Sequence, residues 1–224
     1  MMENPNLGSS TEEIKVDVLI IGGGFSGLCM AIKLREAGMN SFLLLEKSDD
    51  IGGTWYDNRY PGCACDIPSH LYSFSFEPSP DWSRMYPGQK EIHDYLKRCV
   101  QRHELAPHIR LNTRFHEAIW DEADGVWHAT AGEGMRIRAG VIISGIGGLH
   151  VPQYPKLNGI ESFAGPTFHS STWNHDVDLD GKNVAVVGTG ASAGPRAHVR
   201  NSQDSRHRQS FAPAARRGGR RTRR

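Results

Sequence analysis

The sequence predicts an α/β fold: a parallel sheet with a small antiparallel sheet attached, leading into the start of a second unit of the same kind. Three observations predict it. An apolar stretch, residues 16–21, runs straight into a glycine turn and a helix pattern. A second apolar stretch, residues 41–46, follows that helix and ends in an acid, Glu46. The sequence of apolar stretch and glycine turn then recurs at residues 183–193.

The chain has 224 residues, of which 38% are hydrophobic and 23% charged. That length suits one or two domains and buries a sizeable core. No apolar run approaches the ~18 residues of a membrane-spanning helix. Residues 1–13 are polar and read as a disordered N-terminus, not as a secretion signal. The four cysteines form no C-x-x-C pair, and Cys63 and Cys65 are poorly spaced for zinc, so no metal is expected. A reduced, cytoplasmic, soluble protein with no membrane partner is the expectation.

In order along the chain, residues 16–21 (Val-Asp-Val-Leu-Ile-Ile) are nearly all β-formers and read as a strand buried on both faces. Gly22, Gly24 and Gly27 then fit G-x-G-x-x-G, with Phe25 and Ser26 inside it. A helix follows, with Leu28, Ala31, Ile32 and Leu34 apolar, and it ends near Gly38. Residues 41–46 are the second strand. Strand, turn, helix, strand and terminal acid in this order form a Rossmann-like unit. Each part has a physical task. Gly22 permits the tight turn, Gly24 lets backbone approach a pyrophosphate, and Gly27 lets helix pack on strand. The helix N-terminus offers free N–H groups to phosphate. Glu46 can accept from both hydroxyls of an adenosine ribose, which disfavours a 2′-phosphate there. The motif alone leaves open which dinucleotide is bound.

Residues 68–87 are rich in proline and aromatics and read as an irregular segment with one short strand. Residues 89–105 form an amphipathic helix with Ile92, Leu96, Cys99 and Val100 on one face. Residues 115–121 and 126–130 flank Asp124-Gly125, a hairpin signal. Residues 135–138 read as a third strand of that small sheet, and 141–144 as a separate strand of the main one. Residues 183–187 read as a buried strand entering a second turn, G-x-G-x-x-A, with Gly188, Gly190, Ser192 and Ala193.

After Ala193 the pattern breaks. Gly194-Pro195 falls where helix should continue, and residues 194–224 hold ten arginines, no lysine and one acid, a net charge of +9. So little apolar residue cannot offset chain entropy, and this tail is expected to be disordered. A shift of reading frame just after Ala193 is the expected origin of the tail. The rival is a basic arm for nucleic acid, but arginine alone with only Phe211 to stack makes a poor one, so no specific nucleic-acid partner is expected.

Gly52-Gly53-x-Trp55-x4-Tyr60-Pro61-Gly62-x3-Asp66 and Phe163-x-Gly165-x3-His169-x3-Trp173 sharpen this picture. Taken singly, Trp55 and Tyr60 read as core aromatics, Asp66 as a turn cap and His169 as a structural histidine. Together, in this order, they resemble the two signatures of the type I Baeyer–Villiger monooxygenases. Asn174 departs from the usual Pro or Asp after the tryptophan. The resemblance covers roughly residues 14–193. It implies an FAD-binding domain over 14–150 and, over 151–193, a linker and the start of an NADPH-binding domain, incomplete here. It implies FAD and NADPH as cofactors, a small ketone and O2 as reactants, and oxygenation to an ester or lactone through a C4a-peroxyflavin. It implies that Asp66 serves catalysis by placing an arginine of the NADPH domain that lies outside this sequence. It implies FAD contacts from Gly22, Gly24, Phe25, Ser26, Gly27, Glu46, Lys47, Gly53, Thr54, Trp55, Tyr60 and Asp66. NADPH contacts are implied for Gly188, Gly190, Ser192 and Ala193, and a domain-coupling role for His169. Flavin monooxygenases that oxidise nitrogen or sulfur share the plan with a looser second motif. They, or a non-catalytic FAD-binding remnant with a basic tail, are the alternatives.

Overall fold

A computed structural model of the chain describes residues 13–188 and 190. The expected N-terminus before residue 13, the later positions of the second glycine turn (Ser192 and Ala193) and the arginine-rich tail lie outside the described residues.

The N-terminal β-formers make β1 (Ile14–Ile21), followed by α1 (Phe25–Glu36) and β2 (Phe42–Leu45). β1 and β2 pair in parallel, with Val18 opposite Phe42 and Ile21 opposite Leu45. α1 ends in a Schellman motif: Met39 N–H donates to the Leu34 carbonyl and Gly38 N–H to that of Arg35. A one-turn helix α2 (Thr54–Asp57) precedes the irregular segment, and α3 (Gln89–Arg102) follows it. Then come a two-residue strand β3 (Ile109–Arg110), a hairpin of β4 (Phe115–Asp121) and β5 (Val126–Ala131), and the long strand β6 (Met135–Ser144).

The six strands of the described residues form one sheet in the order β3-β2-β1-β6-β5-β4. The alternation of β1 decides its two cores. Val18 and Ile20 face α1 and α3, among Leu28, Ile32, Leu96 and Leu105. Leu19 faces the other way, with Leu43 and Leu45, and is buried against Ala129, Ala131, Ile137 and Ala139. The amphipathic reading of α3 holds, with Tyr95 joining Ile92, Leu96 and Cys99 as its buried residues.

Three expectations are corrected. The antiparallel strands are not a sheet of their own. Residues 135–138 and 141–144 are one strand, pairing antiparallel with β5 through Met135–Ala139 and parallel with β1 through Ile137–Ser144. Ala139-Gly140 looks like a break in sequence. In the fold those small residues let backbone pass closely, since a Cβ on Gly140 would lie 3.2 Å from the Asp17 carbonyl oxygen. Second, residues 68–87 contain no strand among the described residues. A 3-10 turn (Ser69–Leu71) stands there instead, and an isolated bridge from Ala64 to Gly88 pairs the chain just before and just after the segment. The prolines remove ladder donors, and order comes from aromatic packing, with Phe25 edge-on to Tyr72 at 5.3 Å and to Phe74 at 5.1 Å. Third, residues 183–187 are not a buried strand. Val184, Val186 and Val187 are exposed, and none of the described strands pairs with them. A strand buried on both faces needs neighbours on both, and no described element supplies them.

Among the described residues, no helix is long and apolar enough to cross a membrane.

Candidate functional site

The site grows from the end of β1. Gly22 takes φ +103°, a left-handed conformation that a side chain would strain, and a Cβ there would also meet the Gly145 carbonyl oxygen at 2.7 Å. The chain reverses and α1 begins at Phe25. Its first turn folds so tightly under β1 that a Cβ on Gly27 would lie 1.9 Å from the Gly22 carbonyl oxygen. The N–H groups of this first turn have no partner within the helix.

Glu46, at the end of β2, closes the turn from the side. It is only 5% exposed. Its carboxylate accepts from Gly23 N–H at 2.7 Å and from Ser48 N–H at 2.9 Å. Both oxygens therefore brace backbone while keeping lone pairs for a ligand. The next loop crosses above the turn: Gly52 N–H donates to the Gly23 carbonyl at 2.8 Å. A Cβ on Gly53 would come within 3.1 Å of the Gly24 Cα, so two glycine backbones meet face to face.

Between turn, loop and strand ends lies a cleft of about 380 Å³, within the range of small-molecule sites. Of the residues expected to contact cofactor, Gly22, Gly24, Phe25, Ser26, Glu46, Lys47, Gly53, Thr54 and Trp55 are on its wall. Trp55 is also a core residue, 8% exposed, whose indole N–H donates to the Tyr72 hydroxyl at 3.0 Å. Gly27 is buried beneath the wall. Tyr60 and Asp66 are not on the wall, and Asp66 is exposed. Tyr60 instead approaches Trp173, ring centroids 6.5 Å apart, so the two sequence signatures meet in space. His169 caps the 3-10 turn Ser170–Thr172, its Nδ1 accepting from Ser171 N–H at 3.1 Å, while its own N–H donates to the Tyr154 hydroxyl. Phe163 is exposed, and Gly165 is half-buried against the Phe163 ring. Gly188 takes a positive φ, +127°, as Gly22 does with +103° in the first turn, and Gly190 is exposed.

Asp57, Tyr72, Arg114, Gly145 and His150, none of them among the expected cofactor contacts, also line the cleft. Asp57 ends the one-turn helix α2 and Tyr72 comes with the aromatic segment, while the loop before β4 brings Arg114 and the return of β6 brings Gly145 and His150. Asp57 stands out electrostatically. Burial pushes its carboxyl above the usual carboxylate range, Lys47 works against this, and Glu46 adds to it. The ionised form is thus disfavoured by folding. The cost is absent below the ordinary carboxylate pKa of about 4, where Asp57 is protonated folded or unfolded, and grows as pH rises through that range. Asp57→Asn is expected to melt higher than the parent chain at pH 7, with the gap closing near pH 4. A melting-temperature series against pH checks this; a gap that widens on acidification would contradict it.

Away from the cleft, Asp121, Asp124 and His128 bring ligand atoms within 4.8 Å of one another at the hairpin. Asp121 already accepts from two backbone N–H groups, and Asp124 faces Arg138.

The profile of the NAD(P)-binding Rossmann-like domain family matches residues 20–87. A Baeyer–Villiger monooxygenase of Pseudomonas aeruginosa is 52% identical over 176 residues, 79% of this chain and 33% of that protein. The crystal structure of cyclohexanone monooxygenase from Rhodococcus sp. Phi1 bound to NADP+ superposes with a TM-score of 0.73 at 37% identity, covering 80% of this chain and 34% of that one. A crystal structure of OTEMO in complex with FAD and NADP gives 0.74 at 36% identity, covering 81% and 36%. The chain spans about a third of the length of the curated relatives it matches.

Proposed function

We propose, from the premise that this chain is part of a Baeyer–Villiger monooxygenase-like protein, that its first Rossmann-like unit holds FAD. The protein it belongs to would oxygenate a small ketone with NADPH and O2. The observation that carries the first step is the cleft itself. Its floor is backbone without side chains at Gly22, Gly24 and Gly53, it opens on the N-terminus of α1, and it has a buried acid at its side. A pyrophosphate fits the first two features, by close approach and by the partial charge of the helix end. A sugar with vicinal hydroxyls fits the third. A second phosphate on that sugar does not, because Glu46 and Asp57 both face the same cleft.

The chemistry that the flavin supplies when bound is two-electron transfer from NADPH to O2, so that one oxygen atom is inserted beside a ketone carbonyl. This chain's residues bind and orient. Glu46 locks the glycine turn, and Trp55 and Tyr72 wall the cleft with apolar surface joined by one hydrogen bond, which helps to exclude water. Gly188 and Gly190 belong to the NADPH side of the proposal, together with Ser192 and Ala193. Asp66 and His169 act there as positioning groups between the units, a role suited to the contact of Tyr60 with Trp173. The domain boundaries at about 150 and 193, and a cytoplasmic setting, belong to the same proposal.

The test is direct. The purified chain, mixed with excess FAD and desalted, is expected to elute with flavin whose fluorescence is altered from that of free FAD. A colourless chain would overturn the assignment.

A further inference from the structure

Beyond the cleft-lining residues, we propose that His93 of α3, assisted by Lys97, is a positioning residue that presses the 50–53 loop onto the glycine turn and so sets the width of the dinucleotide cleft.

Residues 93 and 97 are one helical turn apart and share a face of α3, distinct from the face that buries Ile92, Tyr95, Leu96 and Cys99. That shared face meets the loop between β2 and α2. His93 Nε2 lies 2.8 Å from the Ile51 carbonyl oxygen. A carbonyl only accepts, so Nε2 carries the proton. The same nitrogen is 3.5 Å from Asp50 Oδ2, and the side chain is 14% exposed. The ring lies flush against Gly52, where a Cβ would come within 2.8 Å of His93 Cδ2. Tyr56 tilts against the ring at 5.7 Å.

Lys97 completes the grip. Its Nζ is 2.7 Å from Asp50 Oδ2, and Asp50 Oδ1 in turn accepts from Ile51 N–H at 2.9 Å. Burial works to raise the Asp50 carboxyl, yet the Lys97 ammonium and the Ile51 N–H hold it below the usual range, so this acid stays ionised and bonded.

On its other side the loop touches the turn, through Gly52 N–H to the Gly23 carbonyl and through Gly53 against Gly24. The path from α3 to the cleft wall therefore runs through two hydrogen bonds and one glycine contact, and nothing bulky cushions it. Releasing the Ile51 carbonyl lets the loop lift, which opens the wall that Gly24 and Gly53 form together. Neither His93 nor Lys97 lines the cleft, so neither acts by touching what it holds.

The inference rests on the dinucleotide reading of the cleft, and its test separates the two. His93→Leu keeps bulk and loses the donor; His93→Gln keeps a donor nitrogen. In the full chain without FAD, the Gly52 amide of His93→Leu is expected to exchange with solvent about tenfold faster than in the parent, the scale of one lost hydrogen bond. His93→Gln is expected to restore slow exchange. With FAD added, release of flavin should speed up in His93→Leu and return to the parent rate in His93→Gln. Should His93→Leu fail to fold, Lys97→Met, at a half-exposed side chain, is expected to speed exchange at the Ile51 amide. Unchanged exchange in His93→Leu, or equal disturbance by Leu and Gln, would overturn the clamp. Faster Gly52 exchange in a chain that binds no FAD at all would support the clamp and sink the flavin assignment alone.

Discussion

Gly27→Ala is expected to cost this fold more than the same change at any other glycine of the described residues. The added Cβ would sit 1.9 Å from the Gly22 carbonyl oxygen and 3.1 Å from its carbonyl carbon. Both atoms are backbone and neither can swing away. Gly22 is itself held by its N–H bond to the Leu45 carbonyl at 2.8 Å, and Gly145 is packed over it. Relief requires α1 to shift off β1, which loosens Leu28 and Ile32 from the core. Overpacking of this kind costs about 1–3 kcal/mol and at times more. In a chain of this size 3 kcal/mol corresponds to a melting temperature lower by about 6–12 °C. Thermal unfolding followed by circular dichroism reads the effect. A variant that melts within about 2 °C of the parent would show that helix and strand are not locked as described.

Gly24→Val is expected to do the opposite: leave the fold nearly intact and abolish flavin retention. Gly24 has φ −82° and ψ −170°, which any residue adopts. A Cβ there would have the Gly53 Cα as its nearest neighbour, at 3.7 Å, an ordinary contact. Nothing in the protein itself demands glycine at this position. What demands it is whatever must lie against the wall that Gly24 and Gly53 share, and the methyl groups of valine would stand in that space. As the N-cap of α1, valine is poorer than glycine by about 1 kcal/mol at most. The prediction is a small fall in melting temperature together with colourless protein after desalting from FAD. A yellow Gly24→Val chain would remove the pyrophosphate from this turn. The pair of variants thus separates a glycine required by packing from one required by a ligand.

What could be read from sequence was local. Strand, turn, helix, strand and acid occupy 31 consecutive residues from Val16 to Glu46, and each follows the one before it directly along the chain. Turn glycines, buried strand runs and the Asp124-Gly125 hairpin all act through neighbours, so their chemistry survives in a one-dimensional reading. The cleft wall did so only in part. Gly145 and His150 reach it because β6 inserts beside β1, Arg114 because the loop before β4 runs along the end of β2, and no spacing rule links those positions to Gly22. The unity of β6 was hidden because a glycine in a strand looks like a stop when the backbone it must clear is far off in sequence. The 183–187 segment misled for the reverse reason. Its apolar run is sufficient for a strand but not for the neighbours that bury one.

Beside β1, β6 also imposes an order of events in time. Residues 14–21 find half of their sheet partners in residues 137–144, more than a hundred positions later. Contacts so distant must meet loop-closure entropy before they return any stability, which slows folding. On a ribosome adding about 5–20 residues per second, β1 waits roughly 6–25 s for its second neighbour to be made. Throughout that interval β1, α1 and β2 can assemble as a unit, but one edge of β1 stays open and apolar. The glycine turn is therefore shaped early, while Gly145, which closes over it, arrives at the end of β6. The cleft is thus completed when β6 docks, well after the glycine turn on its floor has been made.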